Sequence, residues 1–286
     1  MLREIRDLGF EYAELSHGVR ISLLPGVFEA VAAGEIKIST LHNFCPLPIG
    51  INHAAPNLFK FTSSNVRERE NALRHSLKTI ETAARLKAAV VVLHLGCLEI
   101  KDYTERLIEM VGNGQKESPK YEKLCAEVLE KRERKKEKPI QLAGEMLKLL
   151  IEAAEIHGVK LGIENREALE EIPLDSDFNF FFKDFAQPTV GYWHDTGHAQ
   201  IKENLGFILH AMHLESLADR LLGFHIHDVQ FPARDHCPPG SGMIDFAALK
   251  PFVKPEHIKV FELNPGVEVD QLQIGVAYLK KIWGDT

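Results

Sequence analysis

Residues able to do metal or proton chemistry are concentrated in segment 191–199, which has the sequence GYWHDTGHA. His194, Asp195 and His198 lie within five residues of one another there. Carboxylates and imidazoles are common ligands of divalent metals and common proton-transfer groups. The apolar residues before Asp195 predict a strand that ends at this aspartate. Gly197 is expected to permit a tight turn, after which His198 begins a helix and contacts a substrate or a second metal.

Comparable polar residues follow other predicted strands. Segments rich in β-branched and apolar residues predict strands at 12–16, 36–44, 89–96, 160–166, 189–198, 222–228 and 258–265. At or near their C-terminal ends are Glu14, His42, His94, Glu164, Asp195, His227 and Glu262. In an α/β barrel these strand ends meet on one face and form the active site. We therefore expect these side chains to be neighbours.

Amphipathic stretches between the strands, such as 66–88 and 143–158, predict helices and hence a parallel α/β sheet. No G-x-G-x-x-G motif follows a strand, so an open dinucleotide-binding sheet is not supported. Successive residues of the series Glu164, Asp195, His227 and Glu262 are 31, 32 and 35 positions apart. Roughly 31 residues per unit is the spacing expected of a (β/α)8 TIM barrel. The sequence therefore predicts that fold.

The predicted organisation is a single TIM-barrel domain over residues 1–286. The 70 positions between His94 and Glu164 hold one barrel unit and a helical insertion at about 100–139. Because the chain opens on a predicted helix, we expect the first barrel strand to be missing from this sequence. An upstream segment is the favoured explanation, and a rearranged or partner-completed barrel is the alternative.

Composition excludes several classes of protein. The 286 residues are 45% hydrophobic, and no apolar run is long enough for a membrane span. The formal net charge of −7 argues against a nucleic-acid partner. The four cysteines form no C-x-x-C pair and suggest no disulfide framework. We expect a cytoplasmic enzyme.

Side-chain alternation sorts the polar residues by face. Glu164 and Glu262 are expected to face the barrel interior, as are both His225 and His227. One divalent ion, Mn²⁺, Mg²⁺ or Zn²⁺, would suit a mixed set of ligands. That predicted set is Glu164, Asp195, His227 and Glu262. A buried ion-pair network without a metal is the alternative interpretation.

Further residues are assigned by position. Trp193 shares the inner face with Asp195 and forms either an apolar wall of the site or part of the core. His194 has the opposite parity and is expected to be structural. In the Pro- and Gly-rich loop 235–246, His236 is the residue expected to touch substrate, with simple loop packing as the alternative, and Asp245 is expected to cap the following helix.

These motifs together resemble the xylose-isomerase-like TIM barrels. The resemblance rests on GIEN with Glu164, DTGH with Asp195 and His198, HIHD at 225–228, His236 with PPGSG, and FEL with Glu262. It extends from Glu14 to the final helix. That superfamily contains sugar isomerases and epimerases and also endonuclease IV.

The resemblance to the ketose epimerases implies that Glu164, Asp195, His227 and Glu262 hold one divalent ion. His225 has the same parity as His227 and aligns as an alternative ligand. Glu164 and Glu262 would act as acid and base on opposite sides of a sugar, through an enediolate, and His198 would hold a substrate hydroxyl. Arg166 would bind a substrate carboxylate or phosphate, or serve only as an ion-pair partner. The other expected substrate contacts are His42, His94, Trp193, His225 and His236.

The predicted function is therefore a metal-dependent isomerase or epimerase acting on a keto-sugar or sugar phosphate. An endonuclease IV-like zinc phosphodiesterase is one alternative, although here Asp235 immediately precedes His236, whereas the endonuclease pattern puts the aspartate two positions before. A lyase or dehydratase using the same metal is a second alternative, and a binding protein with an inactive site is a third. A small sugar is the expected ligand, and the resemblance implies a homodimer.

Overall fold

The computed structural model describes residues 1–284. Its strands are β1 Tyr12–Leu15, β2 Lys37–His42, β3 Val90–Leu93, β4 Lys160–Glu164, β5 Val190–Asp195, β6 Leu221–Ile226, β7 Asp228–Gln230, β8 Arg234–Cys237 and β9 Ile258–Phe261. Its helices are α1 Leu2–Asp7, α2 Leu24–Ala32, α3 Val66–Leu86, α4 Thr104–Gly112, α5 Pro119–Lys135, α6 Glu137–His157, α7 Asp177–Asp184, α8 Thr196–Asn204, α9 His210–Leu217, α10 Phe246–Leu249 and α11 Val269–Trp283.

One sheet contains all seven predicted strands, in the order β1-β2-β3-β4-β5-β6-β9. Its registered pairs are parallel, and helices connect successive strands. Sequential parallel order with crossover helices is the arrangement of the α/β barrel class, as the sequence predicts. The antiparallel hairpin β7–β8 was not predicted from the sequence.

Local sequence explains where the elements end. Asn65 caps α3 by accepting a hydrogen bond from the Arg67 N–H, and Gly158 follows α6 with a φ of +66°. Strand β5 is shorter than predicted because Asp195 caps α8, which begins at the next residue. As predicted, Asp245 caps the helix after it by accepting from two backbone N–H groups.

The chain divides into two compact units. The first contains Met1–Cys97, Glu137–Ile163 and Asn179–Gly191, with β1 to β3 and the packed pair α3 and α6. The β-branched strand β3 is buried along its whole length there. The prediction of one domain over residues 1–286 stays a prediction, and residues 285–286 lie outside the described part.

The second unit contains Leu98–Lys136, Glu164–Phe178 and the described chain from Tyr192 onward. Helices α4 and α5 occupy the predicted insertion between β3 and β4. No helix in residues 1–284 has the length and apolar character needed to cross a bilayer.

Candidate metal centre

Four side chains converge at strand ends of the second unit. Glu164 is the last residue of β4, Asp195 is the last residue of β5, and Glu262 directly follows β9. His225 lies on β6 as the register partner of Asp195. Each of the four offers a ligand atom, and these atoms all lie within 4.8 Å of one another.

The imidazole of His225 is central to this group. Its Nδ1 lies 2.5 Å from Glu164 Oε1, 3.1 Å from Glu262 Oε2 and 4.0 Å from Asp195 Oδ2. The side chains of Glu164, Asp195 and His225 are inaccessible to solvent, whereas that of Glu262 is 29% exposed. One edge of the site is therefore open, and the rest is buried.

The donor set fits a divalent metal. Arg166 Nη1 donates to Glu164 Oε2 at 2.7 Å and offsets part of the negative charge of the three carboxylates. Burying the other carboxylates is costly unless a cation or strong hydrogen bonds compensate them. An imidazole nitrogen and carboxylate oxygens together are ligands that suit Mn²⁺ and Zn²⁺, and the carboxylates also suit Mg²⁺.

His227, the histidine assigned to the metal from sequence, directly follows β6 and is engaged elsewhere. The backbone N–H of His236 donates to His227 Nδ1 at 2.9 Å, so that nitrogen is the acceptor. The proton must then be on Nε2, which donates to Asp195 Oδ2 at 3.1 Å. His227 thus holds Asp195 in place, and His225 is the histidine grouped with the three carboxylates.

Asp195 is braced from several directions. Besides contacting His227, it caps α8 by accepting the His198 N–H at Oδ1, 2.8 Å away. Asn165 accepts the Asp195 N–H and donates to its carbonyl, at 2.7 and 2.9 Å. Burial raises the pKa of Asp195, but His198 and His227 beside its carboxylate, together with the hydrogen bond from His227, hold that pKa well below its usual range. Asn165 was not singled out from the sequence, although it directly follows Glu164.

His198 lies in the first turn of α8, as predicted. Its Nδ1 is 3.0 Å from the Asn165 carbonyl, which can only accept, so Nδ1 carries the proton. Burial lowers the pKa of His198 to about 3, although Asp195 opposes this shift. The imidazole is therefore neutral at pH 7, and its Nε2 is a hydrogen-bond acceptor.

Gly197, between Asp195 and His198, does not form the tight turn expected from the sequence. Gly197 is the second residue of α8 and does not have a positive φ. A Cβ at this position would collide with the His227 ring. Close approach of α8 to His227, rather than a tight turn, is therefore what requires glycine here.

His236 closes one side of the site. Its backbone has a φ of +50°, an uncommon conformation for a residue other than glycine. The ring stacks on His227 with centroids 4.1 Å apart, and Nδ1 donates to the Glu262 carbonyl at 3.0 Å. A second group, His198, His227 and His236, has ligand atoms within 4.8 Å of one another. His236 also lines a pocket of about 460 Å³.

Two acidic residues near His198 were missed by the sequence reasoning. Glu167 and Asp235 each have a carboxylate oxygen within 4.8 Å of His198 and of each other. Burial, with the Asp235 carboxylate nearby, raises the pKa of Glu167 to about 7, although Arg166 opposes this. Glu167 also lines a pocket of about 450 Å³. Its position three residues after Glu164, at the same strand exit, was the available signal.

The remaining predicted residues of this unit lie around the group. Trp193 is fully buried, with its ring edge-on to His225 at a centroid distance of 5.2 Å. Its Nε1 has no hydrogen-bond partner among residues 1–284. Arg166 lies between two carboxylates, because its Nε also donates to Glu171 Oε1 at 3.1 Å. His194 contacts Tyr192 and His210 instead, as its opposite parity predicts.

In the first unit, His42 and His94 are buried and pack edge to face with ring centroids 4.5 Å apart. The Nδ1 of His42 lies 3.4 Å from the Asn43 carbonyl, and that of His94 lies 3.3 Å from the Pro56 carbonyl. Both rings therefore contact backbone oxygens of nearby loop residues.

Solved structures with the same fold include several sugar epimerases. A 3-keto-D-glucoside 4-epimerase from E. coli is 17% identical with a TM-score of 0.70, over 98% of this chain and 92% of that chain. A D-tagatose 3-epimerase-like protein is 18% identical with a TM-score of 0.68, over 97% and 92%. The D-psicose 3-epimerase of Clostridium cellulolyticum H10, solved with D-tagatose, is 14% identical with a TM-score of 0.67, over 99% and 92%.

Among curated proteins, no sequence matches this chain significantly. A family description does match: residues 2–281 fit the xylose isomerase-like TIM barrel. This match confirms both the predicted fold class and the predicted resemblance. The chain belongs to the xylose isomerase-like TIM barrel family.

Proposed function

We propose that this protein is a divalent-metal-dependent epimerase or isomerase of a small keto-sugar. The observation that carries the proposal is the convergence of His225 Nδ1 with carboxylate oxygens of Glu164, Asp195 and Glu262 within 4.8 Å. We assign these four residues as the metal ligands, with His225 in the position given to His227 from sequence. The epimerases among the structural neighbours support a sugar substrate.

In this proposal Glu164 and Glu262 exchange the proton on the carbon next to the sugar carbonyl. One carboxylate removes the proton and becomes a carboxylic acid. For epimerisation the other, which starts protonated, delivers its own proton to the opposite face of the same carbon. For isomerisation a proton is delivered to the neighbouring carbon while a hydroxyl proton moves between the two substrate oxygens. The bound ion would stabilise the negative charge that develops on the substrate oxygen during this transfer. Arg166 keeps the Glu164 carboxylate oriented through the contact at 2.7 Å.

His198 has the role of a substrate-holding residue. Its neutral ring accepts at Nε2 because Nδ1 donates to the Asn165 carbonyl. A sugar hydroxyl can donate a hydrogen bond to that nitrogen, and this contact would fix the position of the substrate in the site. His236 and Glu167, which also lie beside His198 or His227, are proposed as further substrate contacts. The predicted contacts His42, His94 and Trp193, the homodimer and the cytoplasmic location stay predictions.

The decisive experiment combines metal content with proton exchange. Elemental analysis of the wild type should give one Mn, Mg or Zn per chain, and the double variant Glu164→Gln with Glu262→Gln should lose it. Glu130→Gln, on the exposed face of α5, is the matched control and should retain it. Incubation with keto-sugars in D2O should place deuterium on the carbon beside the carbonyl with the wild type and Glu130→Gln, and not with the double variant.

Other results would identify the alternatives. Three zinc ions per chain would favour the phosphodiesterase, and a product lighter by one water would indicate a dehydratase. Absence of metal after re-addition, together with no deuterium incorporation, would refute the proposed function.

A further inference from the structure

We propose that the helical insertion, residues 98–136, is a positioning element for the metal-ligand Glu164, and that Arg132 on α5 is its main positioning residue. This inference rests on the proposed function, because it concerns the orientation of a ligand in that site. The insertion belongs to the same compact unit as the loop that follows Glu164. Three sets of contacts connect them.

The first set comes from Arg132, which is 1% exposed. Its Nη1 donates to the carbonyl oxygens of Leu169 and Glu171, the latter at 2.9 Å. Its Nη2 donates to Asp177 Oδ2 at 2.9 Å, and that oxygen also accepts the Leu174 N–H at 3.0 Å. One buried guanidinium therefore holds the loop after β4 at three points.

A second set comes from the start of α4. The Glu170 carboxylate accepts the Tyr103 N–H at 2.8 Å and the Thr104 hydroxyl proton at 2.7 Å, capping the helix. The Thr104 oxygen in turn accepts the Leu169 N–H at 2.8 Å, and the Leu98 N–H donates to the Glu170 carbonyl at 2.7 Å. Residues 169–171 are thus fixed to the insertion on both main chain and side chain.

The third set transmits this position to the metal site. The Glu171 carboxylate accepts Arg166 Nε at 3.1 Å, and Arg166 Nη1 donates to Glu164 Oε2 at 2.7 Å. Both members of each pair are buried, so solvent screens these contacts little. Since the Glu171 carbonyl is held by Arg132, the path runs from the insertion helix to the ligand carboxylate without a gap.

This arrangement matters because a carboxylate ligand has several rotamers, and the one that Glu164 adopts directs Oε1 at His225 Nδ1. Residues that hydrogen-bond a ligand set its orientation, and their loss typically lowers metal affinity or activity by about 10- to 100-fold. Burying the Arg132 guanidinium carries a desolvation cost, which is high for a contact that only joins a helix to a loop. Positioning of Glu164 explains why a buried arginine is present there.

The test compares neighbouring residues that lose the same group. Thr104→Val removes a hydroxyl that binds the loop, whereas Tyr103→Phe removes one that contacts Glu127 and Lys131, both within the insertion. Arg132→Met removes the buried guanidinium, and Arg134→Met removes an exposed one from the same helix. Each full-length variant is titrated with Mn²⁺ by calorimetry, its melting temperature is recorded without metal, and kcat and KM are measured with the best keto-sugar.

We expect Thr104→Val and Arg132→Met to raise the Kd for Mn²⁺ by about 10-fold or more, with Tyr103→Phe and Arg134→Met unchanged. We also expect kcat to fall more than KM rises, because Glu164 acts on the proton. Unchanged Kd and kcat in Thr104→Val, with a lowered melting temperature alone, would mean that the insertion is merely structural. If Arg132→Met does not fold, Thr104→Val decides the question.

The result also distinguishes the positioning role of the insertion from the proposed function on which it rests. A wild type that binds Mn²⁺ and turns over sugar, with Thr104→Val behaving identically, would overturn the positioning role alone. A wild type that binds no divalent metal would overturn both the positioning role and the proposed function.

Discussion

His227 donates from Nε2 to Asp195 Oδ2 at 3.1 Å while its Nδ1 accepts the His236 N–H at 2.9 Å. Both ring nitrogens are therefore committed to protein groups. His225, two positions earlier and register-paired with Asp195, directs its Nδ1 at the carboxylates of Glu164 and Glu262 instead. His227 therefore holds Asp195 in place, and His225 is the histidine that we propose as a metal ligand.

This division predicts different effects on metal binding. His225→Ala removes a proposed ligand and should weaken Mn²⁺ binding by more than about 100-fold, beyond what loss of a supporting residue causes. His227→Ala should weaken it by about 10-fold, because Asp195 loses one hydrogen bond. His227→Gln, whose amide can still donate to Asp195, should recover part of that loss. Calorimetric titration measures all three, and the reverse order would make His227 the ligand.

The two proposed proton-transfer glutamates should differ in their effect on stability. Glu164 is fully buried and paired with Arg166, so Glu164→Gln leaves a buried guanidinium partly uncompensated and should cost about 2–4 kcal/mol of unfolding free energy. Glu262 is 29% exposed, so Glu262→Gln should cost less than about 1 kcal/mol. Urea denaturation in the presence of EDTA compares them. Equal losses of unfolding free energy in the two variants would contradict the assignment of Glu164 as buried and Glu262 as partly exposed.

Gly197 should not tolerate a side chain. Gly197→Ala places a Cβ against the His227 ring, and overpacking of this kind costs about 1–3 kcal/mol. Metal affinity should fall as well, since His227 holds Asp195. Gly26→Ala is the matched control: that glycine also lies in a first helical turn, and its Cβ would meet nothing within 4 Å. Thermal denaturation should show a lower melting temperature for Gly197→Ala only.

A buried histidine pair should make the protein sensitive to acid. Burial lowers the pKa of His210 to about 3 and that of His213 to about 4, although Asp175 opposes the shift at His213. The unfolded chain titrates near 6.5 and so binds more protons between pH 6.5 and 4. The contribution of these two neutral histidines to the free energy of unfolding is therefore fully present above pH 6.5 and is lost as the pH falls through this window.

The size of that effect can be isolated by substitution. His213→Gln should remove about 2–3 kcal/mol of the difference in unfolding free energy between pH 7 and pH 4. His157→Gln, at an exposed position at the end of α6, should leave the pH dependence as it is in the wild type. Urea titrations at several pH values measure both. Parallel pH profiles for wild type and His213→Gln would show that His213 does not titrate as its burial implies.

Alternation and spacing in the sequence determined most of the fold. Strands were predicted because β-branched, apolar runs recur at the interval of a βα unit, and the positions of Glu164, Asp195 and Glu262 followed from them. Residue type also predicted a divalent ion at these groups, which stays a prediction. Such patterns involve residues close together in the sequence, so they can be recognised without knowledge of the tertiary contacts.

Side-chain alternation along a strand cannot distinguish two residues on the same face, and the tertiary structure decided between them. His225 and His227 have the same parity, and only the register of β5 on β6 puts His225 level with Asp195. The reason for Gly197 depends on a ring 30 positions away. The links from Arg132 to Glu171, and from Glu171 through Arg166 to Glu164, join residues of one insertion, one loop and one strand. No local pattern encodes such contacts, because they exist only once the chain has packed.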